Sequence, residues 1–262
     1  LINTKGKNLF SLEGKKGLIF GIANKSSVAY GCAKAMHAMG AEIAATYLND
    51  KTKEYAGPLV EELGISIFEP CDLLIDGQLE AVFKKIEKEW GKLDFLVHSL
   101  AFATKEDLQG RVVDCSRDGF GRAMDISCHS FMAMAKLAEP LMKDGGSLMT
   151  LTFSGSNRVL EEYGIMGPIK ASLESVTRYM AYELGPKGIN VNAISPGPLP
   201  TRAASGIRNF DDIMEAAKKK APMHRLVTID EIGAMSAYLA SDAGKIITGE
   251  ILVIDGGYSI MA

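Results

Sequence analysis

Long apolar runs, paired metal ligands and an excess of one charge are all missing from this sequence. No stretch of about 18 apolar residues occurs, and the opening LINTKGKNLFSLEGKKG is lysine-rich with no apolar h-region. That argues against a membrane span and a secretory signal, and Leu1 in place of Met points to a chain trimmed at its start. The four cysteines, Cys32, Cys71, Cys115 and Cys128, form no CxxC pair, and the four histidines, His37, His98, His129 and His224, form no HxxxH or HxH grouping. A zinc ribbon, a dithiol redox site and a histidine metal centre lose their usual ligands, and the cysteines are expected to be reduced thiols in a cytoplasmic protein. The formal net charge is −3 with both signs interspersed, so the continuous basic footprint of a nucleic-acid binder is absent. No metal, nucleic acid or membrane partner is expected.

Linkers rich in Pro, Ser and Gly, repeats of 20 to 50 residues and low-complexity segments are equally absent. What remains is a regular alternation. Seven short apolar runs, KGLIFGI, AEIAATY, ISIFEPCD, LDFLVHSLAF, GSLMTLTF, INVNAISPG and EILVIDGG, read as buried parallel strands. Segments with 3.6-residue apolar periodicity at 28–39, 79–90, 120–142, 172–184 and 229–239 read as crossover helices. The expected fold is α/β: a single doubly wound, Rossmann-like parallel sheet of about seven strands with helices on both faces, forming one domain over 1–262. Functional residues should then follow the strand ends. One long insertion, 196–222, breaks the rhythm and reads as a substrate lid.

The loop after the first strand, GIANKSSVAYG at 21–31, is neither a GxGxxG fingerprint nor a Walker A loop. Its physics still suits a phosphate. Gly21 permits a tight turn, Ser26 or Ser27 is placed to cap the following helix, and Ala29 and Gly31 let that helix approach the sheet. Helix N–H groups and the positive end of the dipole would then face an anion. After later strands stand Asp72, able to accept from an adenine amino group, and the small residues Ser99 and Ala101, which let backbone lie against a nicotinamide ribose.

Taken in order, GIANKSSVAYG, YLND, CDL, HSLAFA, YGIMGPIKAS, NAISPGPLPTRAASGI and VIDGGYSIMA resemble the enoyl-acyl-carrier-protein reductase branch of the short-chain dehydrogenase superfamily over almost the whole chain. The GxxxxxSxAxG loop and the Tyr-x6-Lys spacing discriminate best, because ordinary superfamily members carry another glycine pattern, an NNAG-like segment and Tyr-x3-Lys. The resemblance implies an enzyme that reduces the 2,3 double bond of trans-2-enoyl thioesters with NADH in fatty-acid elongation. The acyl group would be carried on acyl carrier protein and the enzyme would be a homotetramer. Lys170 would hold the nicotinamide ribose, together with Gly21, Ser27, Val28, Asp72, Leu73, Ser99, Gly197, Leu199 and Thr201 around the cofactor. Tyr163 would hydrogen-bond the thioester carbonyl, in a pocket with Phe153, Met166 and Ala204.

Hydride arriving at the β-carbon drives negative charge onto the thioester oxygen, so a donor aimed there stabilises the transition state more than the ground state. Pro168 is tolerated only in a first helical turn, which places the helix start near Gly167 and Tyr163 just before it. The α-carbon proton could come from Tyr163 or from water. Phe153 departs from the family pattern, which has a second tyrosine ten residues before the catalytic one. Thr152, Ser154 or Ser156 could supply the missing hydroxyl, or the pocket could be retuned for a carbonyl or another enone. A nucleotide-binding relative without catalysis is a third reading, opposed by the intact Tyr163 and Lys170. Asp50, with only Lys51 and Lys53 nearby, favours NADH over NADPH. In the lid, Arg202, Arg208 and Lys218 to Lys220 could face an acidic carrier, and Asp211 and Asp212 would repel it.

Overall fold

The structure is a computed structural model and describes residues 2, 8–201, 204 and 209–261. Seven strands form it: Lys16–Phe20 (β1), Glu42–Tyr47 (β2), Ile67–Pro70 (β3), Phe95–His98 (β4), Gly146–Leu151 (β5), Ile189–Pro196 (β6) and Ile251–Ile254 (β7). They make one sheet in the order β3-β2-β1-β4-β5-β6-β7, and every pairing is parallel. The order reverses between β1 and β4, and their carboxyl ends open a crevice where ligands bind in such sheets.

Both faces of the sheet are apolar because side chains alternate along a strand. Leu18, Leu96, Leu148 and Val191 lie opposite one another in a row across β1, β4, β5 and β6, and all belong to one core layer. The next row, Ile19, Val97 and Met149, belongs to the other layer. Each such side chain contributes about 1.5–3 kcal/mol on burial, so a one-residue slip of register would expose a whole row.

The crossover helices cover these faces. They are Val28–Ala38 (α1), Asp50–Glu62 (α2), Gln78–Trp90 (α3), Lys105–Gln109 (α4), Arg117–Met124 (α5), Ser130–Ala138 (α6), Met166–Leu184 (α7), Phe210–Lys220 (α8) and Ile229–Ala240 (α9). α1, α2 and α9 bury residues in the layer of Ile19, and α3, α6 and α7 in the layer of Leu18. Gly31 was expected to let α1 approach the sheet; its close neighbour is instead α9. A Cβ on Gly31 would run into the Ile229 carbonyl, and one on Gly233 would run into the Gly31 carbonyl, so the two helices touch through backbone.

Two helical boundaries differ from the periodicity. The stretch 120–142 is α5, a π turn at Asp125–His129, α6 and a 3-10 turn at Glu139–Leu141. α7 begins at Met166, next to the start near Gly167 that Pro168 in its first turn requires and six residues before the periodic segment at 172. α2 gave no strong pattern because Gly57 and Pro58 interrupt it and only Ala56 and Val60 are buried. Its start is fixed by Asn49, whose side chain accepts from the Thr52 N–H at 3.0 Å.

Candidate active site

The ends of β1, β4, β5 and β6 converge on a cleft of about 760 Å³. Gly21 closes β1 at φ +103°, and a Cβ there would strike the Ser99 carbonyl at the end of β4. Only glycine serves at this contact. Ser27 stands at the N-cap of α1 but does not cap it. Its hydroxyl turns back and accepts from the N–H groups of Ala23 at 3.1 Å and Asn24 at 3.0 Å, folding the loop on itself, and Ser26 caps nothing either, its N–H going to Asn24 Oδ1 at 2.9 Å. The expected serine cap is therefore a loop brace, and the first turn of α1 faces the cleft beside Val28 with no side chain upon it.

Tyr163 sits in the turn that leads into α7, between Glu162 at φ +61° and Gly164 at φ +45°. It is 8% exposed. Its ring meets Phe153 edge-on, with centroids 5.1 Å apart, and lies so close to Gly155 that a Cβ there would enter it. Burial pushes the phenol pKa up, and the Glu174 carboxylate adds to that; no hydrogen bond contributes. Lys170, one turn inside α7, is buried with Nζ donating to the Leu151 carbonyl at 2.7 Å. Burial lowers its pKa to about 8, with Cys128 and Glu174 pulling the other way.

Behind this pair lies a polar layer. His98 is fully buried between Thr150 and Ser130, each 2.8 Å from a ring nitrogen, and burial followed by the Lys170 charge depresses its pKa to about 3. Ser130 donates to the Ile126 carbonyl in the π turn at 2.7 Å, so its oxygen accepts from His98 Nε2–H, and the lowered pKa leaves the imidazole neutral. Thr152 donates to Glu174 Oε1 at 2.7 Å.

That last bond bears on Phe153. Thr152 has committed its proton to Glu174, Ser154 accepts from Arg158 at 3.4 Å, and neither Ser154 nor Ser156 lines the cleft. The expected substitute hydroxyls do not stand where the absent tyrosine hydroxyl would, and Phe153 itself forms part of the wall.

Gly197, Leu199, Thr201, Ala204 and Phe210 also line the cleft. Thr201 Oγ1 accepts from the Ala204 N–H at 3.2 Å. Arg202 and Arg208 lie outside the described residues. Asp211 and Asp212 occupy the first turn of α8 and Lys218, Lys219 and Lys220 its last, which is how a helix complements its own dipole.

The cleft thus gathers Gly21, Ser27, Val28, Ser99, Phe153, Tyr163, Met166, Lys170, Gly197, Leu199, Thr201 and Ala204. Asp72 and Leu73 are not part of this wall. They follow β3, where Asp72 Oδ1 accepts from the Leu74 N–H at 2.9 Å. Sequence reasoning missed Asn24, Phe102, Lys105, Leu108, Gln109 and Phe210 in the lining. Reading on past Ala101 at the end of β4 would have reached four of them. It also missed Glu174, whose signal was a carboxylate one turn beyond Lys170 on a buried helix face.

A family model described as Enoyl-(Acyl carrier protein) reductase matches residues 21–259. The NADH-dependent enoyl-acyl-carrier-protein reductase 1 of Rhizobium meliloti is 47% identical over 247 residues, covering 94% of this chain and 91% of its own length. The NADH-dependent enoyl-acyl-carrier-protein reductase FabI of Escherichia coli is 44% identical over 252 residues, with 96% of each covered. Among solved structures, the Anaplasma phagocytophilum enoyl-acyl-carrier-protein reductase in complex with NAD matches at a TM-score of 0.92 and 44% identity, covering 98% of this chain and 97% of that one. The Bacillus cereus enzyme, solved with NADP+ and an indole naphthyridinone, matches at 0.94 and 39%, covering 98% and 100%.

Proposed function

The chain belongs to the enoyl-acyl-carrier-protein reductase family of short-chain dehydrogenases, and from that premise we infer how its residues divide the work. It reduces the 2,3 double bond of trans-2-enoyl thioesters with NADH in fatty-acid elongation. We assign the residues of the reductase domain, 1–262, to that reaction as follows.

The crevice between β1 and β4 fits a dinucleotide. Gly21 lets backbone come close where a side chain would block it, and the uncapped start of α1 offers N–H groups and a positive dipole end to the pyrophosphate. Lys170 would hold the nicotinamide ribose, with Ser27, Val28, Ser99, Gly197, Leu199 and Thr201 around it. Asp72 and Leu73 would take the adenine; the second oxygen of the Asp72 carboxylate is uncommitted. NADH held there would supply a hydride to the β-carbon, and the α-carbon would take its proton from Tyr163 or from water.

Charge then gathers on the thioester oxygen, and Tyr163 donates to it. A phenol pushed well above its usual pKa stays protonated through the working range, so the donor is always armed. A donor of this kind contributes about 2.7–4 kcal/mol to the transition state. Met166, Phe153 and Ala204 shape the apolar wall for the acyl chain, and the segment 196–222, whose described residues Leu199, Thr201 and Phe210 also line the cleft, would serve as the substrate lid. The observation that carries the assignment is that Tyr163 lines the cleft together with Lys170 while no hydrogen bond from a described residue contributes to its raised pKa.

The test is NADH oxidation with crotonyl thioesters of acyl carrier protein and of coenzyme A, beside an acetoacetyl thioester. Oxidation with the crotonyl substrates alone is the expected result. Faster turnover of the ketoacyl thioester would replace it with a carbonyl reductase built around Phe153.

Acyl carrier protein as the carrier of the acyl substrate, a homotetramer and a cytoplasmic location complete the reading. Tyr179 and Tyr182 on α7 are 70% and 83% exposed, the apolar side chains of Val253 in β7 and of Ile260 and Met261 after it are exposed too, and exposed large apolar side chains of this kind support an assembly of several copies. The four cysteines are all free, in keeping with a reducing compartment.

A further inference from the structure

The inward face of α7 carries one charge that the steps above do not use. Glu174 stands one helical turn beyond Lys170, buried among Ile169, Leu173 and Thr177. Thr152 Oγ1 donates to it at 2.7 Å, and the residue just before, Leu151, offers its carbonyl to Lys170 Nζ at the same distance. Two consecutive residues at the end of β5 therefore clasp two opposite charges on α7. A glutamine could accept the same hydrogen bond without the cost of burying a carboxylate. What the position gains from glutamate is its charge.

We propose that Glu174 is a positioning residue for the reduction, its Thr152-locked carboxylate being the counter-charge that keeps Lys170 an ammonium ion and Tyr163 a neutral phenol. This rests on the roles given above to Tyr163 and Lys170. Among the described residues, the other groups facing the pair carry no negative charge at neutral pH. His98, from β4, is neutral between Thr150 and Ser130, Cys128, from the π turn, is a thiol whose pKa burial raises, and Phe153, from the end of β5, presents only a ring. The carboxylate raises the pKa of both members of the pair, adding to the desolvation of the phenol and, after Cys128, opposing that of the lysine; of these two only the carboxylate is charged at neutral pH. Its removal lowers both, so the proton that each must keep is lost at lower pH.

Glu174→Gln keeps the volume and the acceptor for Thr152. The alkaline limb of kcat with crotonyl-coenzyme A and NADH should move down by roughly 0.5–1 pH unit, and Glu174→Asp should restore at least half of the shift. In the protein without NADH, the carbon-13 NMR titration of the Lys170 ε-methylene, assigned by its loss in Lys170→Met, should move down similarly. An unmoved limb and an unmoved lysine midpoint in folded Glu174→Gln overturn the proposal. If that variant does not fold, the double variant Glu174→Leu with Thr152→Val, which removes the charge together with the hydroxyl it would leave unpaired, takes its place: a lowered lysine midpoint supports the proposal and an unchanged one overturns it. A wild-type chain that fails to reduce crotonyl thioesters would instead overturn the assignment of the site, and the lysine titration would still read the counter-charge.

Discussion

The Phe153 ring meets Tyr163 edge-on at 5.1 Å with the planes 61° apart, so the residue in the usual place of a second tyrosine braces the proposed donor without offering a hydroxyl. No neighbouring serine or threonine stands in for that hydroxyl in the cleft wall. On the proposed mechanism Tyr163 would then donate to the enolate without help from a hydroxyl at position 153. Phe153→Tyr adds a single neutral hydrogen bond, worth about 0.5–1.5 kcal/mol, so kcat with crotonyl thioesters should rise by no more than about tenfold. A much larger rise, with loss of activity on a ketone or another enone, would identify a retuned pocket.

Tyr163→Phe removes the donor and leaves the cofactor contacts alone. Steady-state kinetics should show kcat lowered roughly 10²–10³-fold, while NADH affinity by fluorescence titration stays within about twofold. Unchanged turnover would make Tyr163 a packing residue.

Gly155 sets where that ring lies. A methyl at position 155 would enter the Tyr163 ring, whose edge carbons have no open space on the Phe153 side. Gly155→Ala should displace the ring, lower kcat by about 10–100-fold and cost about 1–3 kcal/mol in urea unfolding.

Lys170 supplies a pH test with a definite sign. Its pKa is about 8 in the fold, against an ordinary value of 10.5. Below pH 8 both states hold the proton and the full cost of the buried charge is present; between about 8 and 10.5 the unfolded chain binds more protons, so stability rises and the cost disappears. Lys170→Met should therefore be more stable than wild type at pH 7 by about 1 kcal/mol, after subtracting the lost bond to Leu151, and the advantage should vanish by about pH 10. Thermal melts of both proteins across that range measure it. The same variant should lose NADH affinity.

Asp50 opens α2, and Lys53 Nζ is held 5.3 Å from the centre of the Tyr47 ring. No arginine fork stands at the end of β2 for a 2′-phosphate. NADH should exceed NADPH in kcat/KM by at least about tenfold, since one charge-assisted bond contributes about 1.5–3 kcal/mol. Equal values would show Lys53 turning from the ring to the phosphate.

The sequence by itself determined the sheet and most of the cleft. Parallel strands buried on both faces must be apolar throughout, so seven runs from KGLIF to ILVI were visible as β1 to β7, and the strand-end rule then led to Gly21, Ser99 and Gly197. Tyr163 and Lys170 came from their spacing within a resemblance, since the turn before Pro168 blurs any same-face argument. Only the tertiary structure decided what a hydroxyl or a glycine is used for. Ser27 looks like a helix cap until the loop folds back on it, Gly31 serves α9 instead of the sheet, and Thr152 could answer for Phe153 until Glu174 claims its proton. Each outcome depends on a partner from a distant element or on the path of the loop. Hydrogen-bond partners and van der Waals neighbours are set by where elements pack, which apolar periodicity records only as burial.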